Sequence, residues 1–203
     1  MYEASNRCAL GALDLQVADF LVFHGVKLRV VAIEELIRSQ AEKTLRQITL
    51  CARHYKTKAV DELLPGRTWR CIRNLRQRRR LFQLALDIAN RESLQCPIAD
   101  KHSTARVLEF TGYTLRLVAV TETLRSQDAN TAVQTTMCAR FYKEAALTEL
   151  FPNRNWIAHL PIEHRRAVYS RAIQLVQRDA QRAETTRPVG SAAWWHLRPR
   201  SLI

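Results

Sequence analysis

The sequence predicts an all-α protein made of two tandem copies of a small helical domain with helix-turn-helix-like units. Three observations carry that expectation. First, the chain repeats itself: displaced by 87 positions (110 − 23) without a gap, Phe23 falls on Phe110, Gly25 on Gly112 and Leu28-Arg29 on Leu115-Arg116. In the same register Arg38-Ser39-Gln40 meets Arg125-Ser126-Gln127, Cys51-Ala52-Arg53 meets Cys138-Ala139-Arg140, and Tyr55-Lys56 meets Tyr142-Lys143. Pro65, Arg67 and Trp69 meet Pro152, Arg154 and Trp156. Such self-similarity marks an architecture of repeated units, and the period is too long for a solenoid repeat of about 20–50 residues. Second, apolar residues recur at helical spacing in almost every segment, and no convincing alternating strand appears. Third, turn signals return at matching places, so both copies share one plan.

A chain of 203 residues has room for two small domains. The expected boundaries are 13–95 for a basic first repeat, 102–183 for a second, and 184–203 for a C-terminal tail. Each copy approaches the size at which a lone core is marginal, so the copies are expected to pack on each other or on a partner. Taken in order, Leu13, Val17, Phe20, Leu21 and Phe23 form a helical stripe stopped at His24-Gly25. A second helix is expected from Lys27 to Ile37, burying Leu28, Val31, Ala32 and Leu36. Arg38-Ser39-Gln40 reads as a tight break, with Ser39 and Glu42 as a capping box for the next helix. That helix is expected over about Gln40 to Lys58, with Ala41, Leu45, Ile48, Ala52 and Tyr55 inward. Leu64-Pro65-Gly66 ends it or a short successor. Trp69 opens an irregular basic link, and a last helix covers about Arg78 to Ser93. Copy two has Ala129 where Glu42 stood, which leaves Asn130 or Asp128 to cap. Cys96 to Asp100 joins the copies, and a linker-like stretch from Thr185 leads to Trp194-Trp195.

The bulk composition is globular, with 47% hydrophobic and 25% charged residues. A net charge of +13 points to a polyanionic partner, nucleic acid first. No apolar run approaches a transmembrane helix, and the opening residues do not read as a secretory signal, so a cytoplasmic protein without a membrane partner is expected. Five cysteines without a framework spacing fit a reducing compartment. They form no Cys-x-x-Cys pair, so no metal site is expected. His159, Glu163 and His164 lack a nucleophile or an orienting group, and no glycine-rich phosphate loop occurs, so the sequence shows no enzyme and no cofactor. Cys51 and Cys138, like Tyr55, Tyr142, Trp69 and Trp156, read as core residues repeated by the fold.

The copies do not share the charge. Residues 23–90 hold 15 basic and 6 acidic residues, +9, whereas 110–177 hold 8 and 5, +3. The difference is concentrated in Arg67, Arg70, Arg73, Arg76, Arg78, Arg79 and Arg80. Copy two sets Ile157, Leu160, Glu163 and Ala167 opposite Arg70, Arg73, Arg76 and Arg80. A need of the shared fold would have kept both patterns, so the extra arginines serve another purpose. Guanidinium forks suit phosphate oxygens, which supply most sequence-independent affinity for duplex DNA. In the helix-turn-helix reading, the exposed start of the helix after the break offers Gln40, Lys43, Thr44 and Gln47 to base edges, and copy two offers Gln127, Asn130, Thr131 and Gln134. Arg165 and Arg166 stand at the rim. An acidic protein held by a helical adaptor, or RNA, are the alternative partners.

Gly112-Tyr113-Thr114-Leu115-Arg116-Leu117 through Thr123, then Arg140-Phe141-Tyr142-Lys143-Glu144, then Pro152 and Trp156, resembles the helical part of the FlhC-like family of flagellar and conjugative-element master regulators. Copy one carries a blurred version in Gly25, Leu28-Arg29, Glu35, Arg53 to Lys56, Pro65 and Trp69. The family's four-cysteine zinc site is absent, and a tandem duplication is not its usual layout. The resemblance implies a transcriptional activator on promoter double-stranded DNA, working with a small FlhD-like helical partner subunit and RNA polymerase. A homodimer or hetero-oligomer is expected.

Overall fold

The computed structural model describes residues 19–96, 106–155 and 157–185. Within them the first half runs β1 (Phe20–Phe23), β2 (Val26–Arg29), α1 (Val30–Ala41), α2 (Leu45–Leu63), a 3-10 turn (Trp69–Cys71) and α3 (Leu75–Gln95). The second runs β3 (Val107–Phe110), β4 (Tyr113–Arg116), α4 (Leu117–Asp128), α5 (Ala132–Leu150), a 3-10 turn (Ile157–His159) and α6 (Ile162–Thr185). The protein is mostly helical, as expected, with two short hairpins added. The expected start of the first helix at Leu13 and Val17, residues 97–105 between the halves, Trp156 and the tail from 186 onward lie outside the described residues.

The expected helix through Phe20, Leu21 and Phe23 is instead a strand. His24 and Gly25 both take left-handed φ values, 48° and 77°. Two such residues form the tight turn whose twist suits a two-residue hairpin, and glycine enters that region without a Cβ penalty. The hairpin pairs Leu21 with Leu28 and Val22 with Lys27. Leu21 and Leu28 are buried while Val22 and Lys27 are exposed, the two-residue alternation that four-residue strands barely display in sequence. Thr111 and Gly112, at φ 48° and 78°, make the second hairpin in the same way. The next helix therefore begins at Val30 rather than Lys27.

The expected capping box is also corrected. Ser39 lies inside α1, buried, and its hydroxyl donates to the Glu35 carbonyl at 2.5 Å. The chain turns later, at Lys43, φ 60°, where the amides of Glu42 and Thr44 return to Arg38 and Ser39 carbonyls at 2.9 Å. These bonds satisfy α1's free C-terminal carbonyls, so the helix can run past Arg38-Ser39-Gln40. In the second half Asn130, φ 56°, makes the same turn, and neither it nor Asp128 caps α5. Asparagine tolerates that conformation better than lysine does.

Two cores hold the elements together, and each draws on both halves. One joins α2 and α3 (Ile48, Tyr55, Leu81, Phe82) to Leu108, Leu115, Val120 and Leu124 from β3, β4 and α4. The other joins α5 and α6 (Tyr142, Leu147, Val168, Val176) to Leu21, Leu28, Ile33 and Ile37 from β1, β2 and α1. Each hairpin and its following helix thus sit on the long helix pair of the opposite half. The boundary between 95 and 102 divides the chain but not the cores. Consequently α1 and α2 do not pack on each other as a helix-turn-helix pair does: α1 lies on α5 and α6, α2 on α3 and α4.

Ile37 is fully buried among second-half side chains. Ile37→Ala is expected to cost about 2–5 kcal/mol in urea unfolding. Hydrogen exchange should show the loosened amides in α5 and α6 at least as much as in α2 and α3. Acceleration confined to α2 and α3 would contradict the exchanged packing.

Candidate nucleic-acid interface

Among the described residues none of the seven arginines of the basic link forms an ion pair. Arg67, Arg70, Arg73, Arg76, Arg79 and Arg80 are exposed, and Arg78 is half-buried. At about 100° per residue, Arg76, Arg79 and Arg80 share one outer arc of α3, and Arg78 points away from it. Its guanidinium carbon lies 5.8 Å from the centre of the Trp69 ring. The first turn of α3 holds no acid, and Asn74 caps it by accepting from the amides of Arg76 (2.9 Å) and Gln77 (3.3 Å). The start of a helix is its positive pole, where cations are unfavourable. Four arginines crowd the start of α3, and among the described residues no carboxylate pairs with them.

The corresponding helix of the second half behaves differently. Glu163 occupies the first turn of α6, where an acid is favourable. Arg165 is half-buried with its Nε atom unbonded, and Arg166 is exposed. The ungapped pairing of Arg70 with Ile157 and Arg73 with Leu160 needs a correction. Ile72 N donates to Trp69 O (3.2 Å) and Leu160 N to Ile157 O (3.0 Å), and Ile72 and Leu160 are both buried. These equivalent residues are 88 apart (160 − 72), one more than elsewhere. The one-residue slip is confined to this link, because Asn74 and Pro161, 87 apart, both accept the first backbone bond of their helix.

The residues expected to read bases do not form one exposed helix start. Gln40 is half-buried at the end of α1, and its side-chain oxygen accepts from Lys143 Nζ of the second half. Lys43 and Thr44 belong to the turn, Lys43 exposed and Thr44 half-buried. The Gln47 side-chain oxygen is buried without a partner. Gln127 accepts from Lys56 Nζ of the first half at 2.6 Å, and Asn130 is exposed at the turn. The halves are therefore cross-linked reciprocally: Lys56 to Gln127, Lys143 to Gln40.

That exchange brings Arg78, Trp69 and Lys56 of the first half beside Gln127 of the second. Lys56 Nζ lies 5.4 Å from the centre of the Trp69 ring. Its pKa is lowered, by burial first and then by the Arg53 and Arg78 charges. Sequence reasoning missed Lys56 and Arg53; the signal was the lysine repeated after the tyrosine in both halves. The neighbouring positions behave as expected of core. Tyr55 and Tyr142 are buried, donating to Glu92 (2.8 Å) and Asp179 (3.2 Å). Burial pushes the Cys51 and Cys138 thiols up to about 12. Trp69 is half-buried, edge-on to Phe82 at 4.9 Å. Among the described residues no group of histidine, cysteine, aspartate or glutamate side chains is arranged to hold a metal ion, and no helix is long and apolar enough to cross a membrane.

Comparison with protein-family models, with curated proteins and with solved structures gives no match. The likeness to FlhC-like regulators therefore rests on the quoted motifs alone.

If the arginines of α3 are held against the stability of that helix, replacing one should help folding. Arg76→Glu is expected to raise stability by about 0.3–1 kcal/mol at low salt while weakening DNA binding. A loss of stability in urea titration would mean that Arg76 serves the fold.

Proposed function

We propose that the chain is a DNA-binding transcriptional regulator that grips duplex DNA through the basic link and α3 of its first half. The observation that carries this reading is that, among the described residues, none of the seven arginines from Arg67 to Arg80 pairs with a carboxylate, and that Arg76, Arg79 and Arg80 share one outer arc at the start of α3, where the second half puts Glu163. Arginine forks match phosphate oxygens, and a surface that keeps such charge unneutralised is suited to a polyanion. The second half, with less charge and two long helices on which β1, β2 and α1 rest, serves mainly as scaffold. Gln127 is bonded to Lys56 of the first half and Asn130 is exposed at the turn that follows it, so base contacts are expected from these two. We read the two halves as copies of one ancestral unit, because framework residues recur at one spacing. The FlhC-like resemblance supports an activator acting in the cytoplasm, with a small helical partner subunit and RNA polymerase.

An acidic protein held by a helical adaptor is the competing reading, and one observation favours a protein partner over nucleic acid. On α5, Val133, Met137 and Phe141 are exposed at helical spacing, where α2 carries Arg46, Leu50 and His54. Copurification with a protein and no salt-sensitive DNA affinity would select it.

Seven neutralised phosphates correspond to a log–log salt slope of about −6 for duplex DNA. Replacing Arg76, Arg78, Arg79 and Arg80 by alanine is expected to flatten the slope to about −3 and weaken binding to all sequences alike. Parental affinity in an anisotropy titration would reject the reading.

A further inference from the structure

We propose that Lys56 and Arg78, which face the Trp69 ring, together with Arg53 one turn before Lys56 on α2 and Gln127 of the opposite half, form a cradle for one phosphate group. The identification of that group as a DNA backbone phosphate rests on the function proposed above; the phosphate chemistry of the cradle does not.

The geometry gathers cations and supplies no acid. Lys56 Nζ lies 5.4 Å from the Trp69 ring centre and 5.8 Å from that of Phe82, and Arg78 faces the same Trp69 ring at 5.8 Å. Among the described residues the hydrogen bond that Lys56 Nζ donates goes to a neutral acceptor, Gln127 Oε1, at 2.6 Å. An ammonium has three donors, so two remain for a ligand, beside the guanidinium forks of Arg53 and Arg78. Among the described residues neither arginine nor Lys56 pairs with a carboxylate. The half-buried ammonium is held below its ordinary pKa by burial and then by both arginines, a repulsion that a bound phosphate relieves.

The other half supplies the control. Lys143 occupies the place of Lys56, donates to Gln40 and faces Tyr169 at 5.9 Å. There, however, Arg140 Nε donates to Glu144 at 2.7 Å. The residue at the Glu144 place in the first half is Thr57, exposed, its hydroxyl donating to the Arg53 carbonyl at 3.2 Å. One half brings its own carboxylate to the cluster, and the other leaves the place open. An open cradle is therefore no requirement of the fold. Charge-assisted bonds from several converging donors are the usual means of holding phosphate.

The test copies one half's arrangement into the other. Inorganic phosphate is titrated into the whole chain at constant ionic strength, following the Trp69 indole and α2 amide resonances by NMR. The expected result is a saturable shift in the parent, lost in Thr57→Glu, whose Arg53 gains an acid four residues on. Glu144→Thr should open a second saturable site around Lys143. If Thr57→Glu misfolds, Lys56→Gln replaces it, with the same loss expected. Absence of a saturable shift, or its survival in the Thr57→Glu or Lys56→Gln variant, overturns the cradle. Duplex DNA binding by Thr57→Glu should fall about tenfold, equivalent to about 1.4 kcal/mol, with the salt slope reduced by about one. A cradle that binds phosphate in a variant-sensitive way, with duplex affinity unchanged, overturns only the backbone assignment. Loss of duplex binding on replacing Arg76, Arg79 and Arg80 by alanine, with phosphate binding intact, keeps the cradle separate from the wider interface.

Discussion

Two buried carboxylates fix how this chain is put together. Glu35 and Glu122 are 4% and 3% exposed, and a carboxylate that deep is costly unless cations neutralise it. Each is met by an arginine of the opposite half: Arg29 Nη1 reaches Glu122 Oε1 at 2.8 Å, and Arg116 Nη2 reaches Glu35 Oε1 at 3.2 Å. Arg125 and Arg38, one turn away on the same helices, complete the two clusters at 2.7 and 3.6 Å. For Glu35, burial raises the pKa against the opposing pull of Arg116 and Arg38. Removing one partner of such a pair leaves an uncompensated charge, which favours the exchanged arrangement over looser alternatives. The relation is reciprocal, residue i to j and j to i, as in a self-complementary dimer interface. Here it is contained in one chain.

The proposed function follows from that exchange. Because α4 lies on α2 and α3, Gln127 at the end of α4 is delivered to Lys56. Because α1 lies on α5 and α6, Gln40 is delivered to Lys143 instead. The fold thus makes two equivalent composite surfaces, and the side chains then set them apart. One has Thr57, Arg46 and an arginine-rich helix start. The other has Glu144, Val133 and an acid in the first turn of α6. A scaffold needs neither pattern, since each is missing from one half.

Much of this was legible in the sequence. The 87-residue displacement located equivalent residues, and the helical stripe through Ile48, Ala52 and Tyr55 located a buried face. The paired cysteines and tyrosines read correctly as core because only the fold is common to both halves. The hairpins were not legible: four residues give too short an alternation to separate Leu21 and Phe23 from a helical stripe. Ser39 misled because its spacing to Glu42 imitates a cap, whereas its hydroxyl bonds within the helix. The exchange was invisible for a deeper reason. Both halves carry nearly the same framework, so packing α1 on its own long helices or on the other pair buries the same kinds of side chain. Only side chains that differ between halves, or ion pairs seen in three dimensions, distinguish the two. Lys56 escaped notice because the groups around it come from the link, from α3 and, in Gln127, from the other half, all far from it in sequence.

The most direct measurement of the exchanged assembly is a set of double-mutant cycles on its ion pairs. Arg29 with Glu122, and Arg116 with Glu35, should each show a coupling of about 0.5–3 kcal/mol in chemical denaturation. Arg29 with Glu35, and Arg116 with Glu122, should be additive within about 0.3–0.5 kcal/mol. Coupling within each half, with additivity across them, would contradict the account.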